Sequence, residues 1–318
     1  MSTHADAAPD LARRLGPIGV WGHLATLPAD ELRPFVAHVA ALGYGTLWVG
    51  DATMRDPFAQ LAALAEVSAP MTLGTSILNI FGRDAMAARM GAMTLHELTG
   101  GRFVLGLGVS HVHLVEKLRG HRYERPLAAM RGYLEAYRSL PYRGPLLART
   151  DSEPTEPPVM LAALRRRMLE LASDATDGAL PFLVTEQRVG WMRQVLDEAA
   201  GPARDRPVLA VTLATVLDAD PGSAREAARA WIAPYCRAIN YQRSLAEQGF
   251  EPAEWEPPYS DRLLDAIVAW GSADTLRERI AAMHAAGADH VAVIPIRPDG
   301  TTEDLAVLEA LAPAGRAR

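Results

Sequence analysis

GGRFVLGLGVSHVHLVE, Gly100 to Glu116, is the stretch on which the fold turns. Phe103–Leu107 reads as a buried strand that runs into two close glycines, Gly106 and Gly108. A polar loop bearing Ser110, His111 and His113 follows at once. Neither glycine has a Cβ, so a flat ligand can lie against the backbone there. A strand that delivers polar groups from its C-terminal end is how a (β/α) barrel assembles a site. GLGVS alone is a weak glycine signal, and its meaning comes from the chain on either side.

The flanking sequence keeps one rhythm. Ile18–Trp21, Thr46–Val49, Met71–Leu78 and Phe103–Leu107 read as short apolar strands, followed by Val159–Leu161, Gly178–Leu180, Val208–Leu217 and His290–Ile296. Helical patterns separate them, and their ends carry the residues that start and stop helices. Pro28 stands near a first turn, Gly43 at a stop, Asp84 at a cap and Gly100-Gly101 at a terminator. Strict alternation implies a parallel sheet covered by helices. Eight units imply an α/β protein of the (β/α)8 TIM barrel type, with insertions after strands 4 and 7. The first insertion is loop 110–125, bulky and polar enough for a lid. The second, 241–286, reads as extra helices broken at Pro252, Pro257, Pro258 and Gly271. No GxGxxG follows the first strand, which argues against an open doubly wound sheet. Residues 141–158 read as a long loop, residues 1–14 as a flexible tail, and residues 15–318 as a single barrel domain.

Composition narrows the function. Acidic residues outnumber basic ones, 38 to 32, and no long basic run occurs, so nucleic acid is excluded as a partner. The single cysteine, Cys236, rules out an internal disulfide and a cysteine-based zinc site. The N-terminus lacks an apolar core segment and no apolar run is long enough to span a bilayer, so neither secretion nor a membrane is expected. The expectation is a cytoplasmic protein.

In a barrel, the strand C-termini converge on one mouth. There the sequence places Trp21 and His23 from the first strand, Asp51 from the second, and Thr75, Ser76, Ile77 and Asn79 from the third. Gly108, Ser110 and His111 come from the fourth, and Ala163, Thr185 and Arg297 from later ones. Asp51 either receives the N–H groups of a flavin-like ring or caps the loop Ala52–Asp56. His111 and His113 alternate as in some zinc sites, but no third ligand is evident, so no metal is expected. A histidine titrates near working pH, which makes His111 the first candidate for proton transfer and His23 the second. His113 reads as an ordinary loop histidine. Met86, Met90 and Met93 sit at helical spacing and read as core filler.

The stretches GPIGVWG (16–22), LGYGTLWVGD (42–51), LGTSILNIFGRD (73–84), GGRFVLGLGVSH (100–111), RPLAAMRGYLEAY (125–137), MLELASDATDGALPFLVT (168–185), LLDAIVAWGS (263–272) and AGADHVAVIPI (286–296) carry a likeness in order along the chain. With them the sequence resembles the bacterial luciferase-like superfamily, most closely its coenzyme F420-dependent oxidoreductases. The resemblance implies a luciferase-like barrel with the deazaflavin lying in the mouth. It implies a non-prolyl cis peptide at Ser76–Ile77, with Thr75 beside it, behind the ring. Asp51 matches the family's acidic residue at the ring, and Gly108, Val109 and Ser110 match the backbone beside the cofactor. The phosphate-bearing tail would run toward Ala163, Leu164 and Arg165 and the helix start near Thr185, since helix N-termini suit phosphate. His111 stands where the family's sugar-phosphate dehydrogenases carry a carboxylic acid.

Two departures matter. Ala52 stands where those dehydrogenases have a histidine, so their substrate is not expected here. Leu164-Arg165-Arg166 replaces a glycine turn common among relatives. Three readings follow: an F420-dependent oxidoreductase acting on a small organic substrate, an FMN-dependent monooxygenase on the same barrel, and a barrel that binds a ligand without catalysis. Relatives commonly form dimers, and helices 57–68 and 84–98 offer small-residue faces for a homodimer.

Overall fold

The computed structural model describes residues 7–142, 144, 156–200 and 206–313. Its strands are β1 (Ile18–Trp21), β2 (Thr46–Val49), β3 (Thr72–Thr75), β4 (Leu78–Asn79) and β5 (Phe103–Gly108). They continue with β6 (Val159–Leu161), β7 (Gly178–Ala179), β8 (Val208–Val216), β9 (Val268–Trp270) and β10 (His290–Ile296). Every pairing is parallel. The barrel closes because β10 pairs with β8 on one edge and with β1 on the other. β3 and β4 together make one stave, so the barrel has the eight staves read from the sequence.

Around the barrel stand α1 (Ala7–Leu15), α2 (Leu32–Ala41), α3 (Pro57–Leu64), α4 (Ala85–Leu98), α5 (Pro126–Ser139) and α6 (Arg166–Ala175). The rest are α7 (Glu186–Ala200), α8 (Pro221–Cys236), α9 (Ile239–Glu247), α10 (Asp261–Ile267), α11 (Ala273–Ala285) and α12 (Leu305–Ala310). Side chains at their N-caps fix several turns: Asp56 accepts from Ala59 N at 2.9 Å, Asp84 from Ala87 N at 2.8 Å and Ser272 from Thr275 N at 3.2 Å. Each such cap is worth about 1 kcal/mol. None of the helices is long and apolar enough to cross a membrane, among the described residues.

Strand residues are buried almost without interruption and mostly apolar, because both faces are covered. Alternate side chains divide between two cores. Leu47, Leu73, Phe103 and Leu161 point outward under the helices, whereas Trp48, Val104, Met160 and Ala292 fill the barrel. His290 lies at the base of that interior, fully buried. Trp48 Nε1 donates to its Nε2 at 3.0 Å, and its Nδ1 lies 2.7 Å from Gly16 O. Cys236 is buried, and burial pushes its thiol up to about 11, which suits a packing role.

Three expectations need correction. Residues 1–14 are not wholly a tail: Ala7–Leu15 is helical, and Leu11 and Leu15 are buried against the barrel's lower end. The third strand is not continuous through Met71–Leu78, because it stops at Thr75 and resumes at Leu78 after a cis Ser76–Ile77 peptide. Residues 241–286 are not only helices. β7 covers β8 only at Val208 and Leu209, which leaves the upper edge of β8 for β9, paired Ala214 to Val268. The loop expected over 141–158 falls largely at 145–155, outside the described residues.

Candidate active site

A cavity of about 950 Å³ opens at the C-terminal ends of the strands. Its floor begins at the break between β3 and β4. There the Thr75 hydroxyl substitutes for the lost ladder: it donates to Gly106 O at 2.8 Å and accepts from Gly106 N at 2.9 Å. Ser76 N donates to Val49 O, and Ser76 O accepts from Trp21 Nε1 at 3.0 Å. Asp51 N donates to Ile77 O at 3.1 Å, and the Asp51 carboxylate accepts from Asn79 N at 3.1 Å. Its other oxygen lies 3.4 Å from Arg119 of the lid segment. The carboxylate is thus fixed beside the Ser76–Ile77 peptide rather than spent on the loop that follows it.

The two glycines of β5 answer to this break. A Cβ on Gly106 would stand 1.9 Å from Thr75 O and 2.6 Å from Leu180 Cδ1. One on Gly108 would stand 2.5 Å from the Ile77 side chain. Close approach of the neighbouring stave, not of a ligand, therefore requires both glycines.

His111 sits just above. Ser110 adopts φ 57°, and its carbonyl accepts from Asn240 Nδ2 at 3.2 Å and from the Tyr123 hydroxyl at 3.3 Å. Asn240 also donates to that hydroxyl at 3.0 Å, so α9 and the lid segment together hold the turn that aims His111. The imidazole packs 4.8 Å from the Tyr241 ring and 6.0 Å from His113. Its Nδ1 is buried without a partner. Burial, helped by the His113 charge, lowers its pKa to about 4. The sequence expectation of a histidine titrating near working pH is therefore corrected: at neutral pH His111 is uncharged. His23 is likewise held below its ordinary value by burial, and its ring stands edge-on to Trp21 at 4.8 Å.

The wall after β5 and β6 is cationic. Leu164 O accepts from Arg188 Nη2 at 2.7 Å. Arg188 is buried, pairs with Glu247 and stacks 3.7 Å over Trp191, so it anchors the turn after β6. Arg165, Arg166 and Arg167 follow at the start of α6, and Arg125 stands at the start of α5. All four line the cavity. Arg166 is shared with Glu170 and Glu198 at 3.8 and 3.5 Å. Arg125, Arg165 and Arg167 have no ion-pair partner among the described residues.

The structure brings most of the sequence-chosen residues together. His23, His111, Asp51, Ser76 and Ile77 line the cavity, as do Val109, Ser110, Leu164 and Arg165. Thr75, Gly108, Ala163 and Thr185 do not. Thr75 and Ala163 are buried beneath the surface. Thr185 is consumed locally: its amide donates to Gln248 Oε1 at 2.8 Å and its hydroxyl accepts from Arg188 N at 3.2 Å. Sequence reasoning missed Phe182, Tyr235 and Tyr241, which line the remaining wall. Phe182 carried a usable signal, since it lies three residues past the end of β7, where the chain leaves the barrel. The two tyrosines lie in helical sequence with nothing to mark them.

Residues 15–290 match the family described as luciferase-like monooxygenase. A protein of Mycobacterium tuberculosis named as a coenzyme F420-dependent oxidoreductase is 28% identical, covering 92% of this chain and 97% of its own. The 5,10-methylenetetrahydromethanopterin reductase of Archaeoglobus fulgidus is 26% identical, covering 85% of this chain and 91% of its own. Among solved structures, the coenzyme F420-dependent tetrahydromethanopterin reductase of Methanopyrus kandleri superposes with a TM-score of 0.71 at 18% identity, over 93% of this chain and 97% of that one. The barrel, its mouth and the extent of the family match agree, and the chain belongs to the luciferase-like monooxygenase family.

Proposed function

We propose that the protein is an F420-dependent oxidoreductase that passes a hydride between C5 of the deazaflavin and a small organic substrate. The observation that carries this reading is the make-up of one cavity: a carboxylate fixed beside the Ser76–Ile77 peptide, a histidine nitrogen without a partner among the described residues, and arginines without an ion-pair partner among them on the β5 and β6 segments. These residues fit the cofactor. Asp51 and the adjacent backbone would receive the ring, and Arg125, Arg165 and Arg167 would face its anionic tail. The arginines take the place of the glycine turn common among relatives, while Thr185, whose amide is already bonded, is not available to a phosphate. The names of the relatives point the same way.

When bound, the deazaflavin supplies or accepts the hydride at C5. The protein's share is orientation and the accompanying proton. A substrate carbon that gives or takes hydride must lose or gain a proton at its oxygen. His111 is placed for that exchange, and being neutral it is ready to accept a proton from a substrate hydroxyl. In the opposite direction its N–H proton would pass to the carbonyl oxygen as hydride reaches the carbon, and solvent water would restore the proton to the ring. His23 stands second, its ring 4.8 Å from that of Trp21. The Asn240–Tyr123–Ser110 contacts keep the imidazole in place, and the lid segment, tied to Asp51 through Arg119, shields the mouth from water.

The test is anaerobic. Reduced F420 mixed with the protein and a panel of carbonyl compounds should be consumed only with substrate, one product per cofactor. Oxygen uptake driven by reduced FMN, with no F420 turnover, would move the protein to the monooxygenase reading.

We also propose a homodimer through α4. Met86, Met90 and Leu98 are 53, 53 and 59% exposed along one face, beside a shallow groove floored by Phe58. Sedimentation should give twice the chain mass and Met90→Glu half of it. A monomeric parent protein would remove the proposal.

A further inference from the structure

The walls of the cavity come from different staves. Arg125, Arg165 and Arg167 belong to the segments after β5 and β6. The segments after β7 and β8, next in the barrel order, and the end of β1 bring rings together instead. Phe182 is at the centre, with ring centroids 5.4 Å from Trp21, 5.0 Å from Tyr235 and 5.7 Å from Tyr241. Trp231 backs Phe182 and Tyr235 at 6.1 and 5.1 Å. The planes at Phe182 are inclined by 40 to 51°, so the rings enclose a space with faces and edges instead of stacking on themselves. His111 closes one side, 4.8 Å from Tyr241.

The ring side chains of this wall carry no charge, and the carboxylate that acts on Tyr235 from behind, buried Glu303, is bonded to Leu24 N and Thr26. Burial drives both phenols well above their ordinary range and His111 well below its own. The two carboxylates on the cavity surface lie elsewhere: Asp51 beside the Ser76–Ile77 peptide, and Glu247 in its pair with Arg188. An anionic substrate would find no cation among these rings, the arginines of the neighbouring β5 and β6 segments being those assigned to the cofactor tail, and a cationic one would find no carboxylate. A buried charge without a partner is disfavoured, whereas ring faces and edges attract a second ring. His111 Nδ1, beside Tyr241 on the cavity surface, is buried without a partner among the described residues and suits an oxygen function; Trp231 Nε1 behind the wall and His23 Nδ1 beside Trp21 also lack one.

We infer that this aromatic box is the substrate subsite, and that it selects an uncharged, mainly apolar ring compound bearing one carbonyl or hydroxyl, of the cyclic ketone or enone class. The inference rests on the hydride-transfer reading for the identity of the ligand as substrate, but the box itself is defined by its own residues. Trp21 joins the two parts of the site, since its ring touches Phe182 and its Nε1 holds Ser76 O.

The test uses three probes: cyclohex-2-en-1-one, its ring-carboxylated analogue 5-oxocyclohex-3-ene-1-carboxylate, and the open-chain hex-3-en-2-one. Binding is measured by calorimetry to the full-length protein, with and without saturating F420. The ring enone should bind at least tenfold more tightly than the carboxylate and measurably more tightly than the open chain. Phe182→Leu and Tyr241→Leu should each weaken ring-enone binding at least fivefold, with F420 affinity and thermal midpoint unchanged. Tyr235→Phe, which keeps the ring, should retain binding. Equal binding of carboxylate and enone, or enone binding indifferent to both leucine variants, would overturn the assignment. Should the protein ignore F420 but bind the enone through these rings, the subsite stands and the cofactor reading falls.

Discussion

Replacing His111 by alanine tests the chemistry assigned to the cavity. Burial holds the ring at a pKa of about 4 against an ordinary 6.5. That favours the neutral ring by about 3 kcal/mol, before discounting for its partial exposure to the cavity. Hence only about one molecule in a thousand carries a protonated His111 at pH 7. A group that exchanges a proton in the rate-limiting step typically contributes about 10²- to 10⁴-fold. His111→Ala should lower kcat by that order while leaving F420 affinity largely unchanged, because the ring contacts Tyr241 and not the arginine wall. The assay is steady-state turnover across pH 4 to 9, with cofactor affinity titrated separately. In the parent protein kcat/KM should hold steady down to about pH 5 and fall near pH 4, as the imidazole becomes charged. An acid limb near pH 6.5 that disappears in His111→Ala would refute the burial argument. Unchanged turnover would remove His111 from the mechanism.

Three further outcomes follow from particular contacts. Arg165→Ala combined with Arg167→Ala should weaken F420 at least tenfold, about 1.4 kcal/mol, with the difference shrinking at high salt. Unaltered affinity would mean that the tail lies elsewhere. Gly106→Ala places a methyl 1.9 Å from Thr75 O and should cost about 3 kcal/mol in chemical denaturation. A denaturation midpoint equal to the parent's would contradict the close approach. His290, at about 4 when folded and 6.5 when unfolded, stays neutral while the unfolded chain takes up a proton. Its contribution, about 3 kcal/mol, is therefore present above pH 6.5 and lost as pH falls from 6.5 to 4. His290→Gln should flatten the stability profile in that window, and an identical slope would refute the assignment.

The sequence displayed its barrel because each stave is an apolar run between recognisable helix ends, as at Asp84 and Gly100-Gly101. The Ser76–Ile77 peptide came from the resemblance alone, since no local pattern marks it. What stayed hidden depends on contacts between distant residues. α1 is held by Leu11 and Leu15 reaching the underside of the barrel, and short helical patterns do not announce their partners. β9 is three residues long and is defined by an edge that β8 leaves open. The reason for Gly106 and Gly108 lies in Thr75 and Ile77, some thirty positions earlier. The aromatic box joins Trp21, Phe182, Tyr235 and Tyr241 from three separate stretches. His111 was visible by position, but its protonation state depends on burial that only the folded cavity provides.

The central claim is that the cavity is built for F420. Calorimetric titration of the purified protein with F420, and with FMN in parallel, tests it most directly. Micromolar or tighter F420 binding with markedly weaker FMN binding is the predicted result. Preference for FMN, or binding of neither, would contradict it.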